Sequence, residues 1–442
     1  MAHAANDDDR LPWLWRSLRV RRGELAGLLG GFAYFFCLLC SYYMLRPVRD
    51  EMGVRGGVDN LQWLFSATFI AMLLAVPVFA ALAARFHRTR LIPAVYGLFL
   101  ACIAGFWLWL ESGLGPAWAA RSFFVWLSVF NLFVVSVFWS FMADLFDHRQ
   151  AARLFGAIAA GGSAGAILGP VLTGVLAQRL DPAALLPLAG AVLACTLPCM
   201  WLLTRWSRRH GGAGERTAGA PLGGTLLEGV FAVARSRYLL GICGFIWLYT
   251  TLATFLYFAQ AGLVSDAFAD SGDRTSVFAA IDALTNTLTV GIQLFLTARI
   301  VQHFGLARAL AFVPLIVGAG FLALAAAPVL WTIMTVQVLR RAGNYAIARP
   351  GREMLFTVVP RMEKYKAKNF IDTVVYRGGD AIAGWAWAGL SALGLGVTGI
   401  SLVALPLAAA WAVIGYLLGV RQGDRARRRE ANDGQAQTAA AH

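Results

Sequence analysis

The feature that most constrains this chain is a succession of apolar stretches, each about 20 residues long, separated by short polar breaks. A helix of about 20 apolar residues crosses the hydrocarbon core of a bilayer. Twelve such spans are expected, at 24–45, 61–84, 91–111, 122–145, 152–177, 184–204, 238–262, 276–298, 308–327, 329–348, 370–392 and 395–418. Trp and Tyr recur near their ends, as interfacial belts require. Charged residues make up only 14% of the 442, against roughly 25% in a soluble domain whose surface faces water. Lipid must therefore take the place of that water. The expected fold class is all-α, a polytopic membrane protein of about twelve transmembrane helices.

The formal net charge is +14, and Lys364, Lys366 and Lys368 are the three lysines among 38 basic residues. In a soluble protein such a balance points to nucleic acid. Here it reads as orientation, because Lys and Arg collect in cytoplasmic loops. With the N-terminus inside, the leader, the even-to-odd loops and the tail hold 29 of the 38 basic residues. The opposite loops hold six: Arg46, Arg49, Arg55, Arg121, Arg179 and Arg274. Both termini are expected in the cytoplasm, with no nucleic-acid partner. The excess of arginine over lysine points to a GC-rich genome, hence to a bacterial inner membrane as the cell membrane concerned.

The longest break, 205–237, is rich in Gly and Arg and has six spans on each side. Five segments follow: a cytoplasmic leader (1–23), a six-helix bundle (24–204), a cytoplasmic linker (205–237), a second six-helix bundle (238–418) and a tail (419–442). The leader carries no signal-peptide cleavage pattern, and the tail has the basic composition of a disordered end. Short basic turns at 84–90 and 299–305 stand at equivalent places in the two halves. Two six-helix halves joined by a cytoplasmic linker resemble the major facilitator fold, whose parallel halves rock about a central site.

A charge inside a span costs about 2.5–3.5 kcal/mol on insertion scales, so each needs a reason. Arg46 and Arg49, three apart at the outer end of the first span, share a side if the helix continues through Pro47. They either snorkel to the interface or clamp an anion. Arg340 and Arg341 sit well inside the tenth span, where at least one should face a water-filled path unless both bond helix-end carbonyls. Arg377 and Asp380 stand at i and i+3 in the eleventh span, with Asp372 a little earlier, and can neutralise each other. Asp282 shares a face with Asn286 in the eighth span and can couple to protons or pair with an arginine across the cavity. The five arginines outnumber the three aspartates by two, which suits a multiply charged anion. Arginine's planar fork binds phosphate well.

The glycines from Gly156 to Gly174 lack the Gly-Lys-Ser/Thr ending of a phosphate loop. Small residues at four-residue spacing inside a span instead let two helices approach closely. Gly165, Gly169, Pro170 and Gly174 also resemble the glycine–proline motif of helix 5 in major facilitator antiporters. The six cysteines all lie in apolar stretches without histidines at ligand spacing, so neither a disulfide framework nor a metal site is expected. No cofactor is implied. The spans carry no His-Glu-x-x-His, Gly-x-Ser-x-Gly or paired-aspartate motif, and the chain is not expected to be an enzyme.

One segment is more specific. Arg352-Glu353-Met354-Leu355-Phe356, then Lys364-Tyr365-Lys366-Ala367-Lys368-Asn369-Phe370-Ile371-Asp372, resembles the signature of the ATP:ADP antiporter family. That family reads Arg-Glu-x-Leu-Tyr, then Lys-x-Lys-Gly-Lys-x-x-Ile-Asp. Tyr43-Met44-Leu45-Arg46-Pro47-Val48-Arg49-Asp50 is similar to its first-helix Tyr-x-Leu-Arg-x-x-Lys-Asp. Phe138-Trp139-Ser140-Phe141 and Ala152-Arg153-Leu154-Phe155 also look like family segments. The resemblance implies a secondary transporter that exchanges an anionic, nucleotide-like solute of the ATP/ADP type. Arg49, in place of the family's lysine, and Lys368 would then meet nucleotide phosphates, beside Arg46, Arg340, Arg341 and Arg377. Asp282, Asp372 and Asp380 would serve in coupling or ion pairing. The alternatives are a proton-coupled major facilitator carrier of another metabolite or drug, using Asp282 or Asp380, and a membrane sensor or scaffold that binds without transporting. Membrane lipid and a small anionic solute are the expected partners, and a monomer is compatible with the sequence.

Overall fold

The computed structural model of the protein describes residues 21–85, 88–209 and 226–440, and no strand occurs among them. Most of the leader and the middle of the linker lie outside the described residues. Apolar runs without internal turn signals form long helices: α1 (Arg22–Arg55), α2 (Leu61–Arg85), α3 (Arg88–Glu111), α4 (Pro116–Leu145) and α5 (His148–Leu176). The sixth span is α6 (Leu185–Ala194) continued by α7 (Thr196–Arg209). After the linker helix α8 (Leu226–Arg235) come α9 (Arg237–Ala267), α10 (Ser271–Phe295) and α11 (Thr297–Ala326). The tenth span is α12 (Leu330–Gly343), a π turn (Asn344–Ala348) and α13 (Arg349–Leu355). The eleventh is α14 (Arg361–Phe370), a second π turn (Ile371–Val375) and α15 (Tyr376–Ala392), and α16 (Val397–Ala440) is the last.

Every expected span has a helical counterpart. Among the described residues, ten helices are long and apolar enough to cross a membrane. The tenth and eleventh spans are not among those ten; π turns interrupt them, and they carry Arg340, Arg341 and Arg377. Two expectations need correction. The tail is helical to Ala440 as part of α16. Arg425 lies 4.3 Å over the Tyr238 ring, and Arg429 and Gln422 donate to the Thr357 carbonyl and hydroxyl at 3.3 and 3.4 Å, so side-chain contacts hold a segment whose composition looked disordered. The linker, expected as loop, contains α8, whose Val233 is buried.

The chain divides into two compact units. The first holds Met1–Gly56, Leu74–Gly219 and Phe268–Ala283; the second holds Gly57–Leu73, Ala220–Ala267 and Leu284–His442. These limits differ from the bundles read from the sequence in two places. The start of α2 belongs with the second unit and the start of α10 with the first.

In the first unit α1 and α5 run side by side along a glycine stripe. A Cβ on Gly165 would stand 2.8 Å from Cys40 N, and one on Gly169 would stand 2.5 Å from the Cys40 carbonyl oxygen. Thr173, the next residue at this spacing, donates its hydroxyl to the Met44 carbonyl at 3.0 Å. Small residues thus bring backbone against backbone, as the spacing required. At the start of α5, Asp147 accepts from Gln150 N at 2.8 Å while Gln150 accepts from Asp147 N at 3.1 Å, a reciprocal cap. That backbone bond holds the Asp147 carboxyl below its ordinary range. Phe35 stacks on Phe138 at 4.1 Å, and the buried hydroxyl of Tyr34 donates to that of Tyr96 at 2.8 Å.

The second unit is built around the fully buried Trp411 of α16, which meets Phe245 and Tyr249 of α9 at 5.5 and 5.7 Å. Buried Tyr238 donates to the Leu355 carbonyl at 2.9 Å, tying the start of α9 to the end of α13.

Candidate functional site

The nine expected site residues fall into two groups, one per unit. Arg46, Arg49 and Asp282 lie in the first; Arg340, Arg341, Lys368, Asp372, Arg377 and Asp380 lie in the second.

In the first unit α1 continues through Pro47 to Arg55, so Arg46 and Arg49 are both helical. Arg46 Nη1 reaches Asp282 Oδ1 of α10 at 3.6 Å, and Asp282 is fully buried. The pairing of this acid with an arginine, one of the two roles read from the sequence, is the arrangement present. Arg49 takes a different partner: its Nη1 meets Asp50 Oδ1 at 3.3 Å, and its guanidinium lies 4.0 Å over the Phe124 ring. One and a half turns beyond Arg46, Arg274 of α10 donates to both oxygens of Glu51 at 2.7 Å. Glu51 has no exposed surface. Arg274 also donates to the Phe268 and Ala269 carbonyls at 3.0 and 2.9 Å. This bidentate fork is the strong form of a charged contact.

In the second unit Arg340 and Arg341 end α12, each only 7% exposed. Arg340 donates through Nε and Nη2 to Gln337 Oε1 at 3.2 and 2.8 Å. The helix-end carbonyls considered from the sequence are thus not what holds it; a neutral side-chain amide one turn back does. The π turn Asn344–Ala348 follows at once. A wide turn displaces carbonyls from their α-helical donors, and such turns gather at functional sites. Here Gln293 and Thr297 supply outside donors to the Tyr345 and Ala346 carbonyls at 3.3 and 2.9 Å.

Beyond it, Lys368 Nζ donates to Glu353 Oε2 at 2.5 Å. Arg352 Nη2 bridges Glu353 and Asp372 at 3.5 and 3.4 Å. Asp372 lies in the second π turn. Arg377 and Asp380 form the intrahelical pair the spacing allowed, at 3.5 Å, and Thr254 donates to Asp380 at 3.4 Å.

Sequence reasoning left out Glu51, Arg274 and the pairing role of Glu353. An acid in an apolar helix was the available signal for Glu51, but its partner stands 223 residues away. With the partners of the expected residues, Asp50, Arg352 and Glu353, and with the neighbouring Glu51–Arg274 pair, the named groups are eight basic (Arg46, Arg49, Arg274, Arg340, Arg341, Arg352, Lys368, Arg377) and six acidic (Asp50, Glu51, Asp282, Glu353, Asp372, Asp380). The first unit balances at three against three; the second holds five basic groups against three acids. Among the described residues no cluster of His, Cys, Asp or Glu could hold a metal ion.

A family model, that of the Major Facilitator Superfamily, matches residues 27–336. The chain belongs to that superfamily. As a major facilitator protein it is a membrane transporter, of a class whose members are carriers rather than enzymes. Solved structures agree in fold. The nucleoside transporter NupG superposes with a TM-score of 0.62 at 14% identity, covering 90% of this chain and 98% of that one. A bacterial homologue of the iron transporter ferroportin, in an inward-facing state, gives 0.62 at 15% identity over 91% and 98%. The POT family transporter PepTSo gives 0.61 at 14% identity over 92% and 98%. No curated protein matches the chain in sequence.

Proposed function

We propose that this major facilitator carrier moves a multiply charged, phosphorylated anion of the nucleotide type across the cell membrane by alternating-access exchange, with both termini in the cytoplasm. The observation that carries the proposal is Arg340. Its guanidinium is buried inside a span, and the group that holds it, the Gln337 amide, is neutral. A charge placed there is costly, and an amide orients it without cancelling it. A solute anion supplies the missing charge. Arg341 stands beside it, a second guanidinium in the same helix turn that suits a solute with more than one negative charge. The likeness of 352–372 to the ATP:ADP antiporter signature supports nucleotide phosphates over other anions. There Lys368 and Arg352 hold Glu353 and Asp372, carboxylates that a phosphate can displace.

The test is counterflow in proteoliposomes preloaded with unlabelled ATP, ADP or inorganic phosphate, with labelled nucleotide outside. Internal nucleotide should accelerate entry, and Arg340→Gln should slow it by a hundredfold or more while the protein still inserts. Entry unaffected by any internal anion would defeat the reading. A second reading, a proton-coupled carrier of another metabolite, is favoured by one observation: Asp282 is a fully buried acid. Uptake driven by a proton gradient and indifferent to internal nucleotide would select it.

A further inference from the structure

Within the first unit, α1 and the start of α10 are joined by two ion pairs of opposite polarity. Near the end of α1, Glu51 holds Arg274; five residues earlier, Arg46 holds Asp282. The two are built differently. The Glu51–Arg274 pair is bidentate at 2.7 Å. It is buttressed by the Phe268 and Ala269 carbonyls, by Asp270 accepting from Gly272 N at 2.8 Å, and by the Ser276 hydroxyl donating to the Gly174 carbonyl at 3.2 Å. Those bonds fix the start of α10 without any solute.

The Arg46–Asp282 contact is looser, at 3.6 Å, and joins a fully buried carboxylate to an arginine whose side chain keeps 16% of its surface exposed. Its acid is placed by the anchored helix, and its base is one that an incoming anion can reach from the exposed side. Arg46 cannot serve a carboxylate and a phosphate at full strength together, since one guanidinium fork offers one charge to both.

We infer that Asp282 is a resident competitor for the solute's anionic group at Arg46, and that this competition makes exchange obligatory. The inference rests on the proposal that the carrier binds an anion. In the empty carrier Asp282 occupies Arg46 and ties α10 to α1. Parting the buried Asp282 from its arginine is costly unless something replaces the lost interaction. A bound anion replaces it at Arg46, so a loaded carrier can move where an empty one is held.

Two readouts separate this from a purely structural pair. They use whichever of ATP, ADP or inorganic phosphate the wild type exchanges fastest, in liposomes containing the full chain. Wild-type efflux into anion-free buffer should be at least tenfold slower than exchange, given that close charge pairs couple by about 1.5 kcal/mol or more. Asp282→Asn should raise the ratio of net efflux to exchange roughly tenfold and tighten apparent affinity for the anion. The inference is overturned if wild-type net efflux equals exchange, a result that does not depend on how the variant folds. It is equally overturned if the variant leaves the efflux-to-exchange ratio unchanged, if it loses exchange along with efflux, or if a proton gradient alone drives wild-type uptake. If the wild type shows no counterflow with any anion, the proposed function itself fails, which is a different result.

Discussion

Replacing Gly165 by alanine is the sharpest test of how α1 and α5 are held together. The new Cβ would stand 2.8 Å from Cys40 N and closer still to the Phe36 carbonyl oxygen, where ordinary contact begins at 3.4 Å. Both neighbours are backbone of α1 and cannot swing aside, and the nearer of them requires the helices to part by ~1 Å before ordinary contact is restored. A gap of 0.5–1 Å forfeits about a quarter to a half of each dispersion contact along the seam, and overpacking of this kind costs about 1–3 kcal/mol. Alanine is itself better in a helix than glycine by about 1 kcal/mol, which sets the control. Gly156, on the same helix, has nothing within 4 Å of its Cβ position, so Gly156→Ala should collect the propensity gain alone. The propensity gain is common to both, so the two variants should differ by the overpacking cost, about 1–3 kcal/mol, or roughly 2–12 °C in melting temperature for units of this size. The measurement is thermal unfolding of both in the same detergent, followed by far-ultraviolet circular dichroism. If Gly165→Ala melts no lower than Gly156→Ala, the backbone-to-backbone seam is not what joins these helices.

Other substitutions have equally direct outcomes. Glu51→Gln should cost about 3 kcal/mol, the low end for breaking a buried pair, because Arg274 keeps its two carbonyl acceptors. Arg274→Met should cost more, since it strands the fully buried Glu51; detergent melting curves that rank the two the other way would contradict this.

Hydropathy made the helical segments and their number legible because it reports transfer into lipid, summed over some twenty residues. It could not show what lies inside such a sum. Neither π turn has a compositional mark: Asn344–Ala348 and Ile371–Val375 read as ordinary helix. The tail misled because its polar composition suggests disorder, while the contacts of Arg425 and Arg429 with Tyr238 and Thr357 are tertiary. The site was legible one residue at a time. Arg46, Asp282, Arg340 and Arg377 stood out as charges in apolar surroundings, and the three-residue spacing gave the Arg377–Asp380 pair outright. Longer-range pairing was hidden. Arg274 had been placed among ordinary loop arginines, although its two nitrogens embrace an acid more than two hundred positions earlier.

The π turns set a rule for how this part of the chain can change length. Each holds a residue more than an α-helical turn would. Deleting a single residue between 344 and 348 would therefore leave an ordinary α-helical turn, with Arg352 and Glu353 still on the side they share with Lys368 and Asp372. A deletion in the regular part of α12 has no such slack: it would turn everything beyond it by about 100° and carry Arg352 away from Asp372. Single-residue gaps are thus absorbed at these two points and nowhere else along the two spans.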